Sequence, residues 1–572
     1  MLLPSLINIA QICARLSVRQ IVLSPGSRSA PLTLAFVRHP DIATKIISDE
    51  RSAAFIGLGI ARQLRQAVGL VCTSGSAAYN YAPAVAEAFF QQVPLILFTA
   101  DRPPEWIDQL DGQTIRQRNL YGTHVKGSYE LPVGQTEADI AYAARIVSEA
   151  IHLSRAYPPG PVHLNVPIRE PFYPTADEEI RFDEHIKVIT AVRSHPTLSE
   201  TAVRKLVGEW SRYEKKLIVG GQDQQDATLI SALTGLSTAQ QTPVVADVIS
   251  NLHPVPAAVR HADVILAKPD DTLVPDLLIT FGRSIISKNL KLFLRNHRPA
   301  AHWHVQPAGT AADTFSSLTQ VIYTEPALFF SQLQPLLAEP SAAQSAYYQA
   351  WQQREAEARQ QIDGLFTVEF SQSAGEFQAL QTVLHHLPNA VNLHLANSMS
   401  VRYANLLGLS AQQHQLEVFA NRGTSGIDGS SSTAVGSALA SERLTVLLTG
   451  DMAFFYDRNA FWHNYLLPNL RIVLLNNHGG GIFRLIDGPR QQPELEEYFE
   501  TRQALSARRT AEDHGMEYHQ IDLTEPETYP LLSAYLADFY GREGDHARLL
   551  EIVTDPDVNQ AEFDRYRQAA SQ

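Results

Sequence analysis

Along the first 180 residues or so, short and nearly continuous apolar runs alternate with Ala-rich stretches of helical spacing. The runs QIVLS (20–24), TKIIS (44–48), VGLVC (68–72), PLILFTA (94–100) and PVHLNV (161–166) predict strands. Strands without polar alternation are buried on both faces, as in a parallel sheet covered by helices. The rhythm resumes with KKLIVGG (215–221), TPVVAD (242–247), DLLITFG (276–282) and AHWHV (301–305). It returns once more with AVNLHL (390–395), LEVFA (416–420), LTVLLTG (444–450) and LRIVLLNN (470–477). At the N-terminus, Leu6, Ile9, Ile12, Cys13 and Leu16 recur at the spacing of an amphipathic helix.

Two stretches interrupt this rhythm. A Pro-containing, charged stretch at about 168–200 reads as a boundary. Residues 335–370 read as a loop followed by a polar, solvent-facing helix. The expected division is therefore 1–180, 190–340 and 365–572, three doubly wound α/β domains on parallel sheets. A chain of 572 residues is too long for one core and long enough for three or four. No short-period repeat points to a solenoid.

Composition narrows the class. An apolar fraction of 45% suits a well-packed soluble protein. No apolar run reaches the ~18 residues of a membrane span. The first residues lack the early basic charge of a signal peptide. Two cysteines, Cys13 and Cys72, exclude a disulfide framework and a Cys-rich zinc site, and fit a reducing, cytoplasmic setting. A formal charge of −14 argues against nucleic acid as a partner. It leaves room for an anionic small substrate held by a few local arginines.

The richest segment is 449–483. One predicted strand ends in Gly450-Asp451, a crossover helix follows, and the next strand ends in Asn476-Asn477. Ligands of open parallel sheets bind beyond the carboxyl ends of the strands, so Asp451 and Asn477 are expected at one edge. They offer a carboxylate and an amide oxygen, the donors that a hard cation such as Mg²⁺ takes alongside phosphate oxygens. The run Gly479–Gly481 lets backbone approach a ligand closely. A GD or an NN alone after a strand is an ordinary turn; the spaced pair is much more specific.

That pair resembles the cofactor motif of the thiamine diphosphate enzymes. The resemblance implies that Asp451, Asn477 and the carbonyl of Gly479 hold Mg²⁺ (Mn²⁺ is the alternative), with Gly450 beside the diphosphate. The family motif often reads GDG, whereas Met452 stands third here. The resemblance also implies a glutamate on another domain that bonds the aminopyrimidine ring and promotes the nucleophilic form of the cofactor. Glu50 in SDERSAAFIGLGIAR matches it, although a carboxylate at a helix N-terminus, taken alone, is more simply explained by the helix dipole. Thr73, Ser74 and Gly75 match the next cofactor-lining loop. In this family the two halves come from different subunits. A homodimer at least is implied, with a dimer of dimers left open, and a lone subunit would be inactive.

Further segments occur in order: SPGSRSAPL (24–32), TADRPPE (99–105), GQTIRQ (112–117), ISKNL (286–290), NSMSVR (397–402) and NRGTSGIDG (421–429). Together with the cofactor motif they closely resemble the menaquinone-pathway 2-succinyl-5-enolpyruvyl-6-hydroxy-3-cyclohexene-1-carboxylate synthases, from about residue 20 to 490. The implied activity is that of a transferase. It decarboxylates 2-oxoglutarate and adds the remaining four-carbon unit in 1,4 fashion to isochorismate. Both substrates are dicarboxylates, and the arginine fork binds both oxygens of a carboxylate. The motifs supply Arg28, Arg102, Arg402 and Arg422, with Lys288 as a point charge, beside Ser27, Gln113 and Ser398.

By resemblance, Ser398, Arg402 and Arg422 grip 2-oxoglutarate, while Arg28, Arg102 and Lys288 grip isochorismate. Gln113 or the cofactor's own amino group is the candidate for later proton transfers, Ile427 wedges the cofactor into a bent form, and Phe483 packs near the substrate. Any single arginine is also explained by a surface ion pair, and Ile427 and Phe483 by core packing. Two positions depart from the family pattern: Gly112 stands where Asn is common, and His478 follows the NN pair. Three other readings stay open: another thiamine diphosphate decarboxylase or carboligase, a non-catalytic homologue, and a nucleotide-binding α/β enzyme. The last lacks a placed GxGxxG and any GxxxxGK[ST].

Overall fold

A computed structural model describes residues 3–174, 179–268, 270–365, 374–541 and 544–571, without the side chains of Pro526 and Ser571. The chain forms two compact units. The first comprises Met1–Arg193, Asn421–Glu442 and Ala453–Leu467; the second comprises Ser194–Ala420, Arg443–Met452 and Pro468–Gln572.

The first unit is built on a six-stranded sheet of β1 (Gln20–Leu23), β2 (Ala43–Ile46), β3 (Val68–Cys72), β4 (Leu95–Asp101), β5 (Ser128–Glu130) and β6 (Val162–Pro167). Its order is β2-β1-β3-β4-β6-β5, and every pair is parallel. The central strands β3 and β4 are buried throughout, in keeping with their nearly continuous apolar runs. The N-terminal helix Pro4–Arg15 buries the expected stripe of Leu6, Ile9, Ile12 and Cys13.

The second unit carries two sheets. The middle one contains β7 (Lys216–Gly220), β8 (Val244–Ala246), β9 (Leu277–Phe281), β10 (Ala301–Gln306) and β11 (Gln320–Tyr323), in the order β11-β10-β9-β7-β8. The other contains β12 (Val391–Leu395), β13 (Glu417–Ala420), β14 (Leu444–Gly450), β15 (Leu470–Asn476), β16 (Glu517–Asp522) and β17 (Arg548–Val553). Its order, β13-β12-β14-β15-β17-β16, repeats the winding of the first sheet strand for strand. One apolar core runs from Leu217 and Val219 of the middle sheet to Val446, Val473 and Leu550 of the last.

The expected three parallel-sheet α/β domains are thus present, and all strand pairs are parallel. The helix Ala342–Leu365 differs from expectation. It is not simply solvent-facing: Tyr347, Trp351, Ala358 and Ile362 form a buried stripe at near-helical spacing. The crossover after β14 is also shorter than a full helix, ending at Tyr456 and followed by a single 3₁₀ turn, Arg458–Phe461. Parts of both expected boundaries, 175–178 and 366–373, lie outside the described residues.

Candidate functional site

In the second unit, β14 and β15 are adjacent, with Gly450 opposite Leu475. Asp451 and Asn477 therefore leave the same carboxyl edge of the sheet. The order of strands reverses between β12 and β14, the topological switch point at which such sheets bind ligands. Asp451 is almost fully buried, and its carboxylate accepts from Gln503 Nε2 at 2.7 Å. Burial pushes its pKa up to about 6, against hydrogen bonds from Gln503 and the amides of Met452 and Gly479.

Asn476 and Asn477 do different work. Asn476 Nδ2 donates to Glu551 Oε1 at 2.6 Å and to the Leu505 carbonyl at 2.9 Å, which locks it into the fold. Asn477 Nδ2 donates to Glu376 Oε1 at 2.8 Å, while its Oδ1 receives the Gly479 amide at 3.1 Å. Glu376 is buried at the start of the helix Glu376–His385. Desolvation, reinforced by the charge of Asp451, raises its pKa to about 8. A Cβ on Gly481 would lie 2.5 Å from Asn477 Nδ2, so a side chain there would push the Asn477 amide out of place. Among the described residues, no group of three or more His, Cys, Asp or Glu is arranged to hold a metal. A cation here would rest on the mixed oxygen set of Asp451, Asn477 and the Gly479 carbonyl, which suits Mg²⁺.

Ser398 stands at the N-terminal end of the helix Met399–Leu407 after β12, at φ +71° and without a side-chain capping bond. Its carbonyl accepts from Arg402 Nη1 at 2.5 Å, which joins two of the expected residues in one helical turn. Phe483 is half-buried against Phe499, with ring centroids 5.9 Å apart. Lys288 is exposed at the first position of the helix Lys288–Asn296, capped by Ser287. His478 sits at φ +62°, its amide bonded to Asn476 Oδ1 at 3.1 Å.

In the first unit, Glu50 opens the helix Glu50–Leu64, whose N-cap Asp49 accepts from the Ser52 amide at 3.0 Å. Asn80 Nδ2 lies 3.4 Å from Glu50 Oε2. A recess of about 350 Å³ is lined by Ser48, Asp49, Glu50, Arg51, Asn80 and Trp462. The loops after β1 and β3 touch: a Cβ on Gly26 would lie 2.3 Å from Thr73 Cβ. Thr73 and Ser74 are buried, and the Ser74 hydroxyl has no partner. Gly75, at φ +86°, packs against the Gln113 backbone, where a Cβ would meet the Gln113 carbonyl at 3.2 Å.

Arg28 is buried, with Nη1 on the Ile168 carbonyl at 2.8 Å and its guanidinium 4.4 Å above the Phe172 ring. Its pKa is lowered by burial and then by the charge of Arg102, so the two arginines share one field. Arg102 bonds Asp111 Oδ2 at 2.6 Å and the Gly112 carbonyl at 2.6 Å. A Cβ at Gly112 would meet nothing within 4 Å. Ser27 and Gln113 are exposed beside these loops.

The loop with Arg422 and Ile427 is pinned from the helix Ala82–Gln91. The buried Glu87 carboxylate accepts from the Gly423 amide at 2.8 Å and from both the amide and hydroxyl of Thr424 at 2.6 Å. Arg422 and Ile427 are half-buried.

Ser27, Arg28, Glu50, Thr73, Ser74, Gly75, Arg102, Gln113, Arg422 and Ile427 thus belong to the first unit. Lys288, Ser398, Arg402, Gly450, Asp451, Asn477, Gly479 and Phe483 belong to the second. Sequence reasoning missed Glu376, Gln503, Glu87 and Gln117. Gln117 donates to Asn165 Oδ1 and the Ala100 carbonyl and accepts from the Gly75 amide at 2.9 Å. The available signal was a lone carboxylate in an apolar helix, Glu87 in APAVAEAFFQ.

Comparison with known proteins adds two family matches. The N-terminal TPP binding domain of thiamine pyrophosphate enzymes matches residues 8–120, and the middle domain of thiamine pyrophosphate matches residues 190–395. Three relatives carry the name 2-succinyl-5-enolpyruvyl-6-hydroxy-3-cyclohexene-1-carboxylate synthase. The one from Cytophaga hutchinsonii is 45% identical over 575 residues, covering 100% of this chain and 99% of the relative. That from Christiangramia forsetii is 36% identical over 578 residues, with 97% of each chain covered. That from Desulfotalea psychrophila is 36% identical over 555 residues, covering 96% of this chain and 98% of the relative.

Proposed function

Because the chain belongs to the 2-succinyl-5-enolpyruvyl-6-hydroxy-3-cyclohexene-1-carboxylate synthase family of thiamine diphosphate enzymes, we propose that it joins 2-oxoglutarate to isochorismate with loss of carbon dioxide. The reaction serves menaquinone biosynthesis, with Mg²⁺ (or Mn²⁺) as the metal and a homodimer at least as the assembly.

Thiamine diphosphate, when bound, supplies the electron sink for decarboxylation and for the carbon–carbon bond that follows. Asp451, Asn477 and the Gly479 carbonyl hold the metal, with Gly450 alongside. Glu50 would hold its carboxyl against a ring nitrogen of the aminopyrimidine, and Thr73, Ser74, Gly75 and Ile427 would shape the cofactor pocket. Ser398, Arg402 and Arg422 orient the carboxylates of 2-oxoglutarate. Ser27, Arg28, Arg102 and Lys288 orient isochorismate, with Phe483 against the substrate. Gln113 carries later proton transfers. Orientation of both dicarboxylates is what the cations contribute to rate.

The observation that carries this reading is Asn477 beside Asp451 at one sheet edge, its amide fixed by Glu376. The test is the coupled reaction with 2-oxoglutarate and isochorismate, with and without thiamine diphosphate and Mg²⁺, and with pyruvate as the competing donor. Product is expected only in the complete mixture. Turnover of pyruvate in preference to 2-oxoglutarate would overturn the substrate assignment. Glu50→Gln is expected to keep cofactor binding and lose most carboligation; near-normal turnover would remove Glu50 from its role.

A further inference from the structure

The middle sheet contributes one candidate substrate ligand, Lys288, on the segment Ile286-Ser287-Lys288-Asn289. Two carboxylates hold this segment. Asp247, at the end of β8 and buried, accepts the amides of Ile286 at 2.5 Å and Ser287 at 3.1 Å. Asp263, on the short helix Ala262–Ile265, grips both neighbours of Lys288. Its Oδ1 accepts from Ser287 Oγ at 2.8 Å and from the Asn289 amide at 2.9 Å, and its carbonyl accepts from Asn289 Nδ2 at 2.7 Å.

The other oxygen of the same carboxylate faces a different element. Asp263 Oδ2 accepts from Asn405 Nδ2 at 3.2 Å. Asn405 lies on the helix Met399–Leu407, three residues beyond Arg402 and so on the same side of that helix. Its Oδ1 is occupied in turn by the Val248 amide at 3.0 Å, next to Asp247. The charge of Asp263 also acts on Arg402, opposing the desolvation that lowers the pKa of that guanidinium. A single half-buried carboxylate thereby connects the segment of Lys288 to the helix of Ser398 and Arg402.

We propose that Asp263 is a positioning residue shared by the two substrate-binding sets, fixing Lys288 through Ser287 and Asn289, and Arg402 through Asn405. The proposal rests on the substrate assignments made above, in which Lys288 serves isochorismate and Arg402 serves 2-oxoglutarate. Its consequence is specific. Loss of one carboxylate weakens both substrates at once, whereas loss of either partner weakens one.

The experiment compares Asp263→Asn, Ser287→Ala and Asn405→Ala in the full-length holoenzyme, measuring the KM of each substrate with the other saturating. Asp263→Asn is expected to raise both KM values about tenfold, the scale of a lost hydrogen bond to a charged group, with kcat and the affinities for thiamine diphosphate and Mg²⁺ little changed. Ser287→Ala is expected to raise only the isochorismate value, and Asn405→Ala only that of 2-oxoglutarate. A change in one KM or neither with Asp263→Asn overturns the proposal. So does a fall in kcat and melting temperature with both KM values intact. Lys288→Ala and Arg402→Ala test the underlying assignments separately; unchanged KM values there would sink them. Asp263 is then judged by hydrogen–deuterium exchange. Faster exchange of both 285–290 and 399–407 in Asp263→Asn supports the shared role, and an unchanged rate in either segment overturns it.

Discussion

Glu376 and Asn477 meet at 2.8 Å, with the amide nitrogen of Asn477 donating to Glu376 Oε1. This contact decides which way the Asn477 side chain faces, because an amide that donates from Nδ2 on one side must present Oδ1 on the other. Partners of this kind orient metal ligands, and their loss commonly costs 10- to 100-fold in metal affinity. Glu376→Ala is therefore expected to weaken Mg²⁺ binding by roughly that factor, read by titrating Mg²⁺ into protein with thiamine diphosphate. Glu376→Gln, which keeps an acceptor oxygen, is expected to retain most of it. Equal Mg²⁺ affinity in Glu376→Ala and the parent protein would show that Asn477 is oriented by other means.

Glu87 has the corresponding role for the loop of Arg422. Its carboxylate takes three donors from Gly423 and Thr424, and truncation removes their shared partner at a partly buried site. Glu87→Ala is expected to cost about 2–3 kcal/mol of stability and to raise the KM for 2-oxoglutarate more than that for isochorismate. Thermal melts and initial rates check the two halves separately. A melt shift with no KM change would confine Glu87 to stability.

The helix that begins with Glu50 crosses the helix Ser430–Leu439 at two glycines. A Cβ on Gly59 would sit 2.1 Å from the Thr433 carbonyl, and one on Gly436 would sit 2.1 Å from the Ile56 carbonyl. Backbone atoms cannot step aside as a side chain can, so alanine at either position forces the helices apart. Gly59→Ala and Gly436→Ala are each expected to cost about 3 kcal/mol or more. In Gly208→Ala, by contrast, the added Cβ meets nothing within 4 Å on the helix Glu200–Trp210. That change is expected to stabilise slightly, by about 0.5–1 kcal/mol. Melting temperatures of the three variants decide it; similar values for all would contradict the close crossing.

What was legible in the sequence follows from how far each determinant reaches along the chain. β3, β4, β14 and β15 are central, buried on both faces and written as nearly continuous apolar runs, so their existence and their site-bearing ends could be read directly. β5, β11 and β16 were not named: they are edge strands with at most one buried side chain each, and β16 reads EYHQID, with half of its side chains exposed. β17 went unnamed although RLLEIV is mostly apolar, and it brings in the buried Glu551 that fixes Asn476. The residues that orient the candidate site stayed hidden for a different reason. Glu376 lies 101 residues from Asn477, Gln503 lies 52 from Asp451, and Glu87 lies 337 from Thr424. No local pattern records such pairings; only the folded chain does.

The same separation by fold creates a titration signal at His163, which lies buried in β6 between Thr99 Oγ1 at 2.7 Å and Ser128 Oγ at 3.2 Å. Burial pushes its pKa down to about 3, against about 6.5 in an unfolded chain. Between these values the unfolded chain binds a proton that the folded chain does not, so stability falls as pH drops below about 6.5. From pH 7 to pH 5 this one group removes about 2 kcal/mol. Asp101 is nearby and shifted up to about 6. It acts in the opposite sense, since the folded form holds its proton where the unfolded form has lost it. Comparing His163→Gln with the parent protein cancels that common contribution. The variant is expected to lose stability at pH 7, where the ring's bonds to Thr99 and Ser128 are broken, yet to show a smaller drop in urea midpoint between pH 7 and pH 5. Parallel pH dependences in the two proteins would mean that His163 takes up its proton within the folded chain.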